Sequence, residues 1–408
     1  MERPHIPPEL VESILSNLYF DTATLLNCAL VAQAWVPSSQ RGIFRELILK
    51  LPSKNLEDFA TRLDAFLDAS KRRVALLDDK PYLASYVRTL QLQELVEFEG
   101  DSEHALYSAT TSVMERLSNV ETLKVWSADW AVLSHVLREE LTRMLRSPSL
   151  TQVTLGGMFI PTVAQLASLI SCARHLKDLN VIAIRYLDTN SSTEFTAGTS
   201  LPPKSTTQLE QLKLDHTILP FIDWFHHDSC PFQVQNLQSL YLGPGTFLYS
   251  DVIALLQYVG RNLRQLELMC LQAQELNKHL EYTPNLQALY LYGLRQGVSF
   301  TPVPIIQALL NSLLNNINQD GSRRVATLQH LTVDLLLITG AHDWNPWSVI
   351  DALLEKPEFA LLETVVFKLF GNYNLPNFRG SFLDDKELLA KELAVLGRSG
   401  RLTVQIGS

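Results

Sequence analysis

The chain has 408 residues, 46% of them hydrophobic and 19% charged, which is a folded protein's composition and excludes a disordered polymer. A formal net charge of −9 speaks against nucleic acid as a partner, because that partner needs a basic face, and the Lys71-Arg72-Arg73 cluster reads as a solvated helix face. Cys28, Cys172, Cys230 and Cys270 stand far apart with no C-x-x-C pair, so no disulfide framework or metal cluster is expected.

The first residues lack the apolar run of a signal peptide, and no stretch reaches the roughly 18 apolar residues of a membrane span. An intracellular chain is expected, cytoplasmic or nuclear, with no membrane partner. From the N-terminus, "IPPELVESILSNL" predicts a helix starting near Pro8 or Glu9, with Leu10, Ile14 and Leu18 along one face. Asp21 can cap a second helix, "TATLLNCALVAQAW", and Pro37 can open a short third one ending near Phe44. Residues 1–48 are thus expected to form a three-helix module too small to fold well alone.

Within it, Ile6-Pro7-Pro8-Glu9-Leu10, then Ile14-Leu15, then Leu25-Leu26, and finally Leu30-Val31 with Trp35 follow a recognisable order. In these residues the module resembles the F-box, most closely in its fungal form. Ile6 departs from the family's usual Leu, and Ala32 stands where a Cys is common. The resemblance implies docking onto a Skp-family adaptor, and through it a cullin, by Ile6, Pro7, Leu10, Ile14, Leu25, Leu30, Val31 and Trp35. The plainer reading of the same helices is a cap that shields the end of a repeat array.

Residues 49–86 are expected to be a helical connector and N-terminal cap. Beyond them a phrase of pattern apolar-x-x-apolar-x-apolar recurs ten times, beginning at Val87, Val120, Leu150, Leu176, Leu209, Leu237, Leu263, Leu286, Leu328 and Leu362. Its second position reads Arg, Glu, Thr, Lys, Glu, Gln, Arg, Gln, Gln, Glu, always polar. Alternation at period two predicts a short strand whose fourth and sixth residues point inward and whose third, fifth and seventh point outward. Amphipathic stretches at 131–146, 161–175, 251–261, 303–316 and 347–356 predict helices between strands. "FRELIL" (44–49) and "RLTVQI" (401–406) are expected to add a strand at each end. Segments 189–208 and 316–325 read as loop insertions.

A strand and a helix cannot bury their own apolar sides, but stacked copies can. From about residue 84 onward the phrase resembles that of the leucine-rich repeat family, although the Asn or Cys that usually follows the strand is mostly absent. The expected fold is α/β, a leucine-rich-repeat solenoid over 87–408 with a curved parallel sheet and outer helices, preceded by the F-box module. An F-box followed by such repeats implies a non-catalytic substrate-recognition adaptor of an SCF-type cullin–RING ubiquitin ligase. The alternative is an interaction scaffold whose F-box does not dock.

Nothing in the sequence marks an active site. His226, His227 and Cys230 lie close together without further ligands at a useful spacing, and "GPGT" (243–246) lacks the G-K-[S/T] of a phosphate loop and reads as a turn leaving a strand. No cofactor or metal is expected. Most outward strand positions are small or polar, such as Thr89, Gln91, Gln152, Thr154, Asp178 and Asn180. Three consecutive strands differ, placing Tyr241, Glu267, Met269, Tyr290 and Tyr292 side by side. Aromatic residues and Met on a polar surface predict the binding site for a target protein.

Overall fold

Every copy of the recurrent phrase forms a strand. The computed structural model describes residues 6–53, 58–96, 101–186, 207–216, 224–225, 227, 230–245, 249–269, 280–297, 300–314, 325–338, 342–371 and 382–407. The expected insertions, apart from Thr207, Gln208 and Val325, lie outside them, as do Cys270 and His226. The chain divides into two compact units, Met1–Thr207 with His226–Pro231, and Gln208–Phe225 with Phe232–Ser408.

The first unit begins with helices α1 (Pro8–Ser16), α2 (Thr22–Val31) and α3 (Val36–Ile43). Asp21 caps α2 by accepting hydrogen bonds from the Thr24 amide at 3.0 Å and the Thr24 hydroxyl at 2.6 Å. Val11, Leu15 and Leu25 form the core of this module, with Leu18, Tyr19, Cys28, Trp35 and Ile43 packed against it. A β-carbon on Gly42 would stand 2.5 Å from the Tyr19 ring and 2.6 Å from Leu25, so only glycine lets α3 approach this closely. An ion pair between Arg41 and Glu12 ties α3 to α1.

Five parallel strands follow: β1 (Glu46–Lys50), β2 (Thr89–Leu95), β3 (Thr122–Ala128), β4 (Gln152–Gly156) and β5 (Asp178–Ile182), each bonded to the next. Between them run helices Phe59–Asp79, Asp101–Met114, His135–Leu145 and Val163–Ile170. The first packs on the second and the second on the third. Two of the expected helices are shorter than predicted because polar caps set their starts. Ser134 and Thr162 accept from the amides of Leu137 and Gln165, so the helices open after these residues and not at Ala131 or Pro161.

The second unit contains seven parallel strands in sequence order: β6 (Gln211–His216), β7 (Ser239–Gly245), β8 (Gln265–Met269), β9 (Ala288–Gln296), β10 (His330–Leu337), β11 (Thr364–Gly371) and β12 (Leu402–Ile406). Helices Tyr249–Val259, Val303–Leu314, Ser348–Leu354 and Phe382–Glu392 follow β7, β9, β10 and β11. The GPG segment is no simple exit turn. It continues β7 through an irregularity between Leu242 and Gly245, where the register against β6 shifts.

In both units the fourth and sixth residues of every phrase are buried, from Leu90 and Leu92 to Val365 and Phe367. The fold is therefore α/β, with parallel strands flanked by helices. The second position also has a backbone role, independent of its side chain. Its carbonyl accepts two amides from the next strand: Gln238 O bonds the amides of Arg264 and Gln265, both at 2.9 Å, and Arg264 O those of Gln287 and Ala288 at 2.7 and 2.9 Å. No second-position residue is buried, so an apolar side chain there would gain nothing.

The residue just before the phrase adds a ladder that sequence reasoning missed. Asn262 donates to Gln235 O at 2.9 Å, Asn285 to Arg261 O at 2.8 Å, and the Thr327 hydroxyl to Leu286 O at 2.8 Å. Each satisfies a backbone carbonyl of the preceding copy. The signal was visible as the repeated Asn-Leu dipeptide at 236–237, 262–263 and 285–286. It sits before the strand, while the family's Asn was sought after it.

Candidate functional site

Two surfaces carry the residues singled out in the sequence, one in each unit. On the N-terminal module, α1 has two apolar stripes. Val11 and Leu15 face the core, which leaves Leu10 and Ile14 on the outside, 56% and 49% exposed. Leu18 does not continue the outer stripe. It lies beyond the end of the helix at Ser16 and folds onto the core.

At the end of α2, Leu30 and Val31 are 85% and 68% exposed, and Ile6 and Pro7 are exposed ahead of α1. Phe20 and Leu26, which the sequence reading did not select, are exposed as well. One of the expected contact residues, Leu25, lies inside the core and not on the surface. Leu25 is wholly buried and holds the helices together, while Trp35 packs against the same core and remains only partly buried. The module thus displays more large apolar side chains than it buries, an unusual balance for a soluble surface.

On the second unit, the outward residues of β6 to β10 form rows across the sheet. Register pairs Lys213 with Tyr241, Tyr241 with Glu267, Glu267 with Tyr290, and Met269 with Tyr292. All five predicted target-site residues therefore sit on one face of three adjacent strands, each partly exposed. Tyr241 and Tyr292 reach toward each other across β8, their ring centroids 5.8 Å apart in an edge-to-face arrangement.

Glu267, on the strand between them, is held by two neutral donors, the Gln265 amide at 2.6 Å and the Tyr292 hydroxyl. Burial, followed by the bond to Glu267, pushes the Tyr292 phenol far above its ordinary range, so it remains a proton donor. Tyr241 is also pushed up, first by burial and then by the charges of Asp215 and Glu267. The Lys213 ammonium lies 5.6 Å from the centre of the Tyr241 ring. Asp215 and Asp334, absent from the sequence-based site, complete it on either side. They occupy the same seventh position of the phrase as Met269 and Tyr292.

Among the described residues no group of three His, Cys, Asp or Glu side chains could hold a metal, and no helix is long and apolar enough to cross a membrane. Cys28 and Cys172 are free thiols. No family model matches the chain, and no curated protein matches it.

Proposed function

We propose that the chain is a non-catalytic substrate-recognition adaptor of an SCF-type ubiquitin ligase, with the strand–helix units reading as an irregular leucine-rich-repeat solenoid. In this reading α1 and α2 dock on a Skp-family adaptor, itself bound to a cullin, and the tyrosine face of the second unit holds a target protein. The chain then accelerates ubiquitin transfer by proximity alone, and needs no reactive group of its own. The observation that carries the proposal is the exposure of Leu10 and Ile14 on α1 and of Leu30 and Val31 at the end of α2, large apolar side chains that a helical cap has no reason to expose.

The test is co-purification of the full chain with a Skp-family adaptor, comparing the natural sequence with Leu10→Asp combined with Leu30→Asp. Both side chains are already solvated, so each change alters stability by no more than about 0.5 kcal/mol. Burial of each leucine in an interface contributes about 1.5–3 kcal/mol, so the double variant should weaken association about a hundredfold or more. Unchanged association by the folded double variant removes the docking reading and leaves an interaction scaffold.

A further inference from the structure

The tyrosine face is not electrically neutral, and its charges are placed in a particular way. Glu267 stands at its centre, and both of its oxygens are occupied by uncharged donors, Gln265 and Tyr292. Such donors orient a carboxylate without cancelling its charge. Among the described residues no cation lies within ion-pair distance of it. Asp334, two strands away on β10, has one buried oxygen with no hydrogen-bond partner among the described residues. Its nearest register neighbour is Lys368. Asp215 bounds the other side, its carboxylate lying where a β-carbon on Gly243 would have to stand, 2.6 Å away.

In register, Tyr241 on β7 stands between the strands of Asp215 and Glu267, and Tyr290 and Tyr292 on β9 stand between those of Glu267 and Asp334. An aromatic face beside a desolvated carboxylate attracts a cation twice, through the ring quadrupole and through the charge. The fold already uses the first attraction once, with Lys213 over Tyr241. We propose that this face receives an arginine side chain of the target protein, the guanidinium stacking on a tyrosine and donating to the carboxylates of Glu267 and Asp334. A guanidinium suits the place better than an ammonium. It is planar, is weakly hydrated, and has enough donors to satisfy an orphan oxygen while stacking.

This inference rests on the second unit being the target-binding part. It is tested with the full chain on an array of short immobilised peptides with random flanks and a fixed central Arg, Lys, Glu or Leu. Arginine-centred peptides should be captured preferentially, with capture falling as salt rises. Glu267→Gln combined with Asp334→Asn should reduce that capture about tenfold or more at an unchanged thermal unfolding midpoint. The neutral isosteres keep the shapes, and the unfolding midpoint of the same preparations separates loss of capture from loss of fold. Absence of any preference for arginine overturns the inference, as does retention of arginine capture by the carboxylate variant. If Tyr241→Ala with Tyr292→Ala abolishes capture while the carboxylate variant retains it, the face remains the target seat and only its cation preference falls. Adaptor binding, scored on the same preparations through the N-terminal module, reports separately on the docking reading.

Discussion

His342 offers the sharpest test of how the second unit is held together. Its Nδ1 lies 2.9 Å from Asp385 Oδ1 and its Nε2 lies 2.7 Å from the Ile338 carbonyl oxygen. Both partners are acceptors, and a neutral imidazole has only one N–H to donate. The ring must therefore carry both protons to satisfy both contacts. The two side chains are only 2% and 8% exposed, and Trp344 Nε1 donates to the same Asp385 oxygen at 3.0 Å. The bond to Asp385, outweighing the effect of burial, holds His342 above its ordinary value.

A raised folded-state pKa stabilises fully at pH values below the unfolded value of about 6.5 and is lost as pH climbs through the folded one. In that window stability should fall by up to about 1.4 kcal/mol per pH unit. His342→Gln leaves the Asp385 carboxylate buried without its cation, which costs about 3–5 kcal/mol. Urea unfolding of the natural chain and of His342→Gln, followed from about pH 5 to 9, measures both effects. The difference between the two proteins should be largest at the acid end and shrink as pH rises. A difference that stayed constant across the range would refute the doubly protonated ring.

Leu240, Leu266 and Leu289 are register partners on β7, β8 and β9 and are wholly buried. Leu266→Ala should therefore cost about 2–5 kcal/mol. Gln265→Ala beside it should cost at most about 1.5 kcal/mol, the bond to Glu267, and calorimetry that ranked them equally would contradict the register. Gly42→Ala drives a methyl into Tyr19 and Leu25, so it should lower module stability by about 1–3 kcal/mol. The measure is faster proteolysis within residues 6–50, and an unchanged rate would mean that α3 can shift without cost.

Much of the architecture was legible along the chain. The strands β2 to β11 all begin at the third residue of the recurrent phrase, because a period of two with an apolar fourth and sixth residue leaves one buried face and one register. The capping strands β1 and β12 and the Asp21 cap of α2 follow from equally local chemistry. The helices between strands were less so. Phe59–Asp79 and Asp101–Met114 carry weak apolar stripes, and the starts at Ser134 and Thr162 depended on caps that the apolar pattern does not reveal.

The same division holds for the candidate surfaces. Sequence placed Tyr241, Glu267, Met269, Tyr290 and Tyr292 on one face, since parity along a strand decides direction. Only the tertiary structure brought Tyr241 over β8 to Tyr292, bonded Tyr292 to Glu267, and set His342 against Asp385 across 43 residues of chain. In α1 the pairs Leu10–Ile14 and Val11–Leu15 are both apolar at a spacing of four, so periodicity allows either to face inward. Packing against Leu25 chose the second pair and left the first in solvent. Local pattern fixes which residues share a side, and the partner that covers one side decides which side remains.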